Sequence, residues 1–252
     1  MSSVLVLAVL FGIVAFGSCL QRVSGMGLGL IAGPVLSLLL GPVHGILVVN
    51  LLTLVNAALI TIAVRRLVDW GKFAPIGATL VFGSVPAALL IRVVSPAILQ
   101  VLVGGALVVG LAVITLAPSR VPTPHGKGPV ITAGVVGGFM NTLAGVAGPA
   151  VTVYAKAAGW EQRIYAATLQ PIFVVAGLIS LIIKLLTGAG TLGGTNPLTW
   201  VVGIAGMALG IAMGKRIGRR IPQPVAHRLA LALAALGGIS VLIRGLAGTL
   251  LG

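Results

Sequence analysis

Apolar residues occur in long blocks along the chain, separated by short polar junctions. Eight apolar runs cover residues 4–40, 43–64, 73–92, 96–117, 129–158, 162–187, 197–217 and 225–250. A helix of about 20 residues crosses the ~30 Å hydrocarbon core of a bilayer. Six runs have that length, and each of them predicts one transmembrane helix. The pattern therefore predicts an all-α integral membrane protein.

The first and fifth runs are too long for a single crossing, and each contains a glycine-rich segment. The segment "GMGLGLIAGP" covers residues 25–34, and "GVAGP" covers residues 145–149. Glycine permits a break in a helix, and a proline suits the first turn of a new one. We therefore predict that each run forms a broken hairpin, either re-entrant or fully spanning, with Pro34 and Pro149 starting its second helix. The chain then has 8 to 10 membrane segments.

The two halves of the chain resemble each other. Gly33 and Pro34 match Gly148 and Pro149 at an offset of 115 residues, and the same offset pairs Thr53 with Thr168. Such self-similarity indicates an internal duplication. We predict one membrane domain with two inverted repeats, each a glycine-rich broken hairpin followed by three transmembrane helices. Repeat one covers residues 1–118, a cytoplasmic linker covers 119–128, and repeat two covers 129–252.

Composition and charge agree with a membrane protein and specify its orientation. Hydrophobic residues make up 58% of the chain and charged residues 7%, with a formal net charge of +14. Basic residues between apolar runs act as topology signals and contact lipid, so we expect a bilayer and no nucleic acid as partner. The inverted arrangement collects twelve of the sixteen basic residues in the cytoplasm: Arg65, Arg66, Lys72, Arg120, Lys127, Lys156, Arg163, Lys215, Arg216, Arg219, Arg220 and Arg228. It predicts a multi-pass protein of the plasma membrane with both termini outside; no feature specifies an oligomeric state.

Broken helices at equivalent positions of two inverted repeats indicate a transporter binding site near the middle of the membrane. Free N–H groups at a helix start carry partial positive charge and can hold an anion. An alternative is that glycines spaced by four residues, at 25, 29 and 33, only let helices pack closely. The sequence leaves both interpretations open.

Polar residues within the apolar runs support a binding site at the same depth in the membrane. Asn50, Thr53 and Asn56 recur every three residues and share one face of a helix. They either bind a ligand or form hydrogen bonds between helices. The candidate residues for binding a small anionic substrate are Gly27, Gly29, Gly33, Asn50, Thr53, Asn56, Asn141, Thr142, Gly145, Gly148, Thr168 and Gln170. Lys184 and Arg244 lie near the ends of their runs, where we expect them to extend toward the membrane surface.

The chain offers little for catalysis or for metal binding. Its two carboxylates, Asp69 and Glu161, both lie in polar junctions, so no acid is predicted at membrane depth for a proton relay. Cys19 is the single cysteine, which excludes an internal disulfide and a paired-cysteine metal site. We therefore predict that the protein is not an enzyme and uses no cofactor and no metal.

The segments "GMGLGLIAGPVLSLLLGPVHGILVVNLLTL" and "GFMNTLAGVAGPAVTVYAKAAGWEQRIYAATL" resemble the sulfite exporter TauE/SafE family of membrane permeases. The resemblance extends over nearly the whole chain. It implies transport of anions such as sulfite, organosulfonates and other organosulfur anions. We expect a secondary exporter that works by alternating access. An uptake permease for a similar anion, a non-transporting scaffold subunit and a channel remain as alternatives.

Overall fold

The computed structural model describes residues 3–116, 126–191, 196–218 and 220–250. Within these ranges the backbone forms ten α-helices, one short 3-10 helix (Arg65–Leu67) and no strand, which confirms the all-α prediction. Most of the predicted linker, residues 119–125, lies outside the described ranges, and so do Arg120 and Arg219. The helices are α1 (Ser3–Ser24), α2 (Leu28–Leu40), α3 (Pro42–Val64), α4 (Trp70–Val93), α5 (Pro96–Leu116), α6 (Gly128–Ala144), α7 (Gly148–Ala157), α8 (Gln162–Thr187), α9 (Pro197–Ile217) and α10 (Gln223–Leu250).

Helix length divides the fold into spanning and short helices. Seven helices of the described chain are long and apolar enough to cross a membrane: α1, α3, α4, α5, α8, α9 and α10. The remaining three are shorter, with 13 residues in α2, 17 in α6 and 10 in α7. The two long apolar runs therefore divide as predicted, into α1 with α2 and into α6 with α7.

Each of the two breaks begins with a glycine at positive φ. Gly25 and Gly145 adopt positive φ values of 91° and 75°, a region that favours glycine because it has no Cβ. Each donates its N–H to the carbonyl four residues earlier, Gly25 to Gln21 at 2.9 Å and Gly145 to Asn141 at 2.8 Å. The next helix starts three residues after each glycine. The breaks are therefore equivalent at an offset of 120 residues, and not at the predicted 115.

The prediction that Pro34 starts a helix is wrong, whereas that for Pro149 is confirmed. Pro149 is the second residue of α7, but Pro34 lies inside α2, which already starts at Leu28. The left-handed turn at Gly25 sets the break earlier than the proline does. The ring of Pro34 is accommodated because it lies against Gly237 of α10, where an added Cβ would come within 2.8 Å of the proline Cβ.

Helix packing repeats between the two halves. In chain order, α1 to α5 correspond to α6 to α10. The first helix of each half packs along the fourth helix of the other half, α1 on α9 and α6 on α4. The third helices pack on each other, α3 on α8, and so do the fifth, α5 on α10. The most extensive helix contacts therefore join helices of different halves.

Equivalent helices run in opposite directions where they touch. Asn50 of α3 contacts Ser180 of α8, whereas Leu54, four residues later on α3, contacts Gly177, three residues earlier on α8. The contacts between α5 and α10 show the same opposite course. An inverted duplication requires antiparallel equivalent helices. The inverted repeat stays a prediction, and this packing supports it.

Lys184 does not extend to the membrane surface, so that prediction is wrong. Its side chain is 1% exposed, and its Nζ finds no hydrogen-bond partner in the described part of the chain. The reason is that α8 continues to Thr187, and the face that carries Ser180 and Lys184 turns toward α3. Arg244 is exposed, and its Nη1 donates to the carbonyl of Leu38 at 3.3 Å.

Candidate functional site

The two breaks meet in the interior and enclose a small cavity. Its volume is about 10 Å³, roughly the room that one water molecule needs. Five of the predicted site residues contribute to its wall: Gly27, Gly29, Thr53, Gly145 and Gly148. The other lining residues are Gln21, Met26, Leu30, Val146, Ala147 and Phe173. The structure thus brings both glycine-rich segments to one place.

Glycine is needed at this place because backbone from the two halves comes into direct contact. A Cβ added to Gly29 would overlap the carbonyl oxygen of Gly145, and one added to Gly33 would lie 3.0 Å from the oxygen of Ala144. Gly27 is similarly close to the backbone of α1, with the oxygen of Gly17 at 2.8 Å from an added Cβ. A larger residue at Gly29 would therefore push the two breaks apart.

Two polar residues of α3 lie beside the breaks with atoms that have no partner among the described residues, Asn50 next to Gly145 and Thr53 next to Gly29. Asn50 donates its Nδ2 to the Ser180 hydroxyl at 2.8 Å, but its Oδ1 has no hydrogen bond to any described residue. That oxygen lies 3.7 Å from the position of a Cβ on Gly145. The hydroxyl of Thr53 is also unpartnered and lies at the same distance from a Cβ position on Gly29.

The last turn of α6 adds two more such groups. Asn141 and Thr142 are 3% and 0% exposed, and the Asn141 Nδ2 and Thr142 Oγ1 lack partners within the described ranges. A buried polar group without a hydrogen bond costs about 1–3 kcal/mol. Asn56, one turn beyond Thr53 on α3, is fully buried, and neither its Nδ2 nor its Oδ1 is bonded. Unpaired donors and acceptors around one break are the arrangement that a polar ligand would satisfy.

The first break is closed by a pair of glutamines. Gln21 donates from its Nε2 to the Gln170 Oε1 at 3.1 Å, and its own oxygen accepts the N–H of Leu28 at 3.2 Å. Gln170 in turn donates to the carbonyls of Gly25 at 2.7 Å and Ala166 at 3.0 Å. The amide groups of both glutamines are thus engaged. Gln170, a predicted site residue, therefore connects α8 to the first break. Gln21 connects α1 to α2 and α8, and it is not among the predicted site residues.

The sequence matches the family model described as Sulfite exporter TauE/SafE over residues 10–241. The chain belongs to the TauE/SafE family. The matched range includes both breaks, eight complete helices and most of α1 and α10 of this TauE/SafE protein. The family description indicates a membrane transporter of sulfur-containing anions, which is consistent with the prediction that the protein is not an enzyme. No curated protein and no solved structure matches the chain.

Thr168 of this TauE/SafE protein lies away from the cavity lining. Its hydroxyl accepts the N–H of Asp69 at 3.0 Å, at the junction that leads into α4. Asp69 caps that helix by accepting the N–H of Lys72 at 3.0 Å and pairs with the Lys72 ammonium at 3.1 Å. These bonds, the backbone N–H first, hold the pKa of the Asp69 carboxyl below its usual value. Thr168 therefore fixes α8 to the α3–α4 junction.

Proposed function

We propose that this protein is a secondary transporter that exports small anions across the plasma membrane by alternating access. Sulfite or an organosulfur anion such as an organosulfonate is the proposed substrate. The observation that carries the proposal is the group of buried, unpaired polar atoms on Asn50, Asn141 and Thr142 beside the second break and on Thr53 in the wall of the cavity. The family match supports the same class of substrate.

The second break offers the donors that an oxyanion requires. The Nδ2 of Asn141 and the hydroxyls of Thr53 and Thr142 can each donate to an oxygen of the anion. Helix α7 starts at Gly148 in the cavity wall, so its first N–H groups and the positive end of its dipole lie beside the same space. At the first break, by contrast, the N–H of Leu28 already binds Gln21.

The cavity is too small for the substrate in this conformation. It holds about one water molecule, whereas sulfite has four heavy atoms and a sulfonate has more. Binding therefore requires the two breaks to separate. The two halves touch through antiparallel equivalent helices and through bare glycine backbone, an arrangement that favours rocking of one half against the other.

Export agrees with the electrical gradient and with the positions of the acids. Each negative charge gains about 2.3 kcal/mol per 100 mV when it leaves a compartment that is negative inside. Concentrative uptake would need a coupling cation. The two carboxylates, Asp69 and Glu161, precede α4 and α8 and do not lie in helix interiors, where carboxylate cation sites are built. Uptake remains the alternative direction.

Transport by purified protein in lipid vesicles tests this proposal. Vesicles are loaded with sulfite, and the membrane potential is set with a potassium gradient and valinomycin. We expect sulfite efflux that accelerates when the interior is made negative and that needs no sodium or proton gradient. Efflux that appears only with an imposed cation gradient would support the uptake permease. An unchanged sulfite content, equal to that of protein-free vesicles, would support a scaffold.

A further inference from the structure

A second and much larger cavity lies at the other end of α7. Its volume is about 300 Å³, against about 10 Å³ for the cavity between the breaks. Its lining comes from the end of α7, the start of α8 and the start of α10: Thr152, Ala155, Lys156, Trp160, Gln162, Tyr165, Pro224, His227 and Arg228. Lys156 and Arg228 are exposed at its mouth, whereas Thr152 and Tyr165 are buried at its floor.

The polar lining of this cavity favours an anion. Lys156 and Arg228 bring two positive charges, and no carboxylate is among the lining residues. Neither cation forms an ion pair with any acid in the described ranges, where Asp69 pairs with Lys72. The ring nitrogens of His227 are buried and find no partner among the described residues. Two cations in one pocket attract small anions and raise their local concentration, and the N–H of the His227 ring can donate to an anion oxygen.

Two lining side chains of the larger cavity connect it by hydrogen bonds to the wall of the cavity between the breaks. The hydroxyls of Thr152 and Tyr165 are hydrogen-bonded at 2.6 Å, and Thr152 donates to the carbonyl of Gly148 at 2.6 Å. Gly148 lines the cavity between the breaks. The span from Gly148 to Lys156 is about 12 Å along the helix axis, at about 1.5 Å per residue. Helix α7 therefore connects the two cavities directly.

We infer that the larger cavity is a second anion site, in which an oxyanion of the transported class binds before it passes Tyr165 and Thr152. The order of passage depends on the proposed transport function, but binding in the cavity does not. The predicted topology places Lys156 and Arg228 in the cytoplasm, so an exported anion meets this cavity first. Arg228 presents a planar fork of donors that fits two oxygens of one anion.

Trp160 provides a local optical signal for this binding. The chain has three tryptophans, and replacing Trp70 and Trp200 by phenylalanine leaves only the one in the cavity wall. Sulfite is titrated in detergent at constant ionic strength, with chloride as the balancing anion. We expect a saturable change in Trp160 emission, with an apparent Kd that rises about tenfold or more in the Arg228→Gln variant.

Arg163→Gln is the matched control. It removes the same charge from an exposed residue of α8 that is next to the lining residue Gln162 but does not itself line the cavity. We expect the sulfite Kd from Trp160 emission to change less than twofold in this variant. Equal Kd values in the Arg228→Gln and Arg163→Gln variants, or a linear unsaturated response in the parent protein, would overturn the inference.

The same measurements distinguish failure of this inference from failure of the transport proposal. Thr142→Val alters only the site at the second break, so it should raise the sulfite KM of transport by about tenfold or more and preserve the saturable Trp160 signal. A saturable, Arg228-dependent signal in a protein that moves no anion would keep the second site and contradict transport. Sulfite transport with a KM that is the same in Arg228→Gln and Arg163→Gln would contradict the second site and keep the transport function.

Discussion

The two helix breaks share a glycine at positive φ, Gly25 and Gly145, and differ in their side chains. At the offset of 120 residues, Gln21 corresponds to Asn141 and Gln170 to Asn50. The glutamines meet at 3.1 Å and hold the first break, whereas the Asn141 Nδ2 and the Asn50 Oδ1, their equivalents, stay unpaired among the described residues. A glutamine is one methylene longer than an asparagine. The first break is thus a structural clamp, and we propose that the second break is the binding site.

The largest effect is expected from Gly145→Ala at the second break. The substitution forces a Cβ into a left-handed turn at φ 75° and places it 3.0 Å from the Val49 side chain. Gly188→Ala is the control, because Gly188 has a similar φ of 69° and open space around it. The control should lose about 1 kcal/mol of folding stability. Gly145→Ala should lose more stability and should also lose the part of the sulfite stabilisation that the second break contributes, as measured by thermal unfolding in detergent with and without sulfite. Equal losses in both variants would show that the crowding at Gly145 has no consequence.

Gln170→Leu should destabilise the protein through the first break. It removes the hydrogen bonds to the Gly25 carbonyl and to Gln21 and leaves buried groups unsatisfied, which costs about 1–3 kcal/mol. Urea or thermal unfolding measures this loss. The stabilisation that sulfite adds should be the same as in the parent protein. A Gln170→Leu variant of unchanged stability that no longer responds to sulfite would reverse the roles assigned to the two breaks.

Thr142→Val at the second break should weaken sulfite binding without lowering stability, the opposite of Gln170→Leu. The substitution keeps the shape and deletes a buried hydroxyl without a partner, so stability should stay equal or rise slightly. Loss of one hydrogen bond to a charged ligand, about 1.5–3 kcal/mol, should weaken sulfite binding by about tenfold to hundredfold. Calorimetric titration with sulfite measures the change. Unchanged affinity combined with lower stability would mean that Thr142 only connects helices.

Hydropathy and glycine content predict most of the fold, because they depend on the residues alone. Six of the seven helices long enough to span, and both breaks, follow from the lengths of the apolar runs and from the segments around Gly25 and Gly145. The glycine that ends α1 could not be chosen among Gly25, Gly27 and Gly29. That choice depends on tertiary contacts, such as the packing of Gly25 against Ala166 of the other half.

Only part of the candidate site could be predicted, because some of its residues are defined by tertiary contacts. Glycines and polar residues at Asn50, Thr53, Asn141 and Thr142 are visible as departures from an apolar pattern. The role of Gln21 depends on a partner 149 residues away and is not visible in its own helix. The offset of 120 residues would have paired it with Asn141, but the matching of Gly33 and Pro34 to Gly148 and Pro149 obscured that offset.

Thermal unfolding of the purified protein against a panel of anions tests the central claim most directly. Sulfite, sulfoacetate, sulfate, acetate and chloride are compared at fixed ionic strength, for the parent protein and for Asn141→Ala. A ligand at a hundredfold excess over its Kd stabilises the folded state by about 2.7 kcal/mol. We predict that stabilisation is confined to sulfur oxyanions and is smaller in Asn141→Ala, which retains only the anion site of the larger cavity. Equal, small stabilisation by every anion, or the same response in the variant, would contradict a selective anion site at the second break.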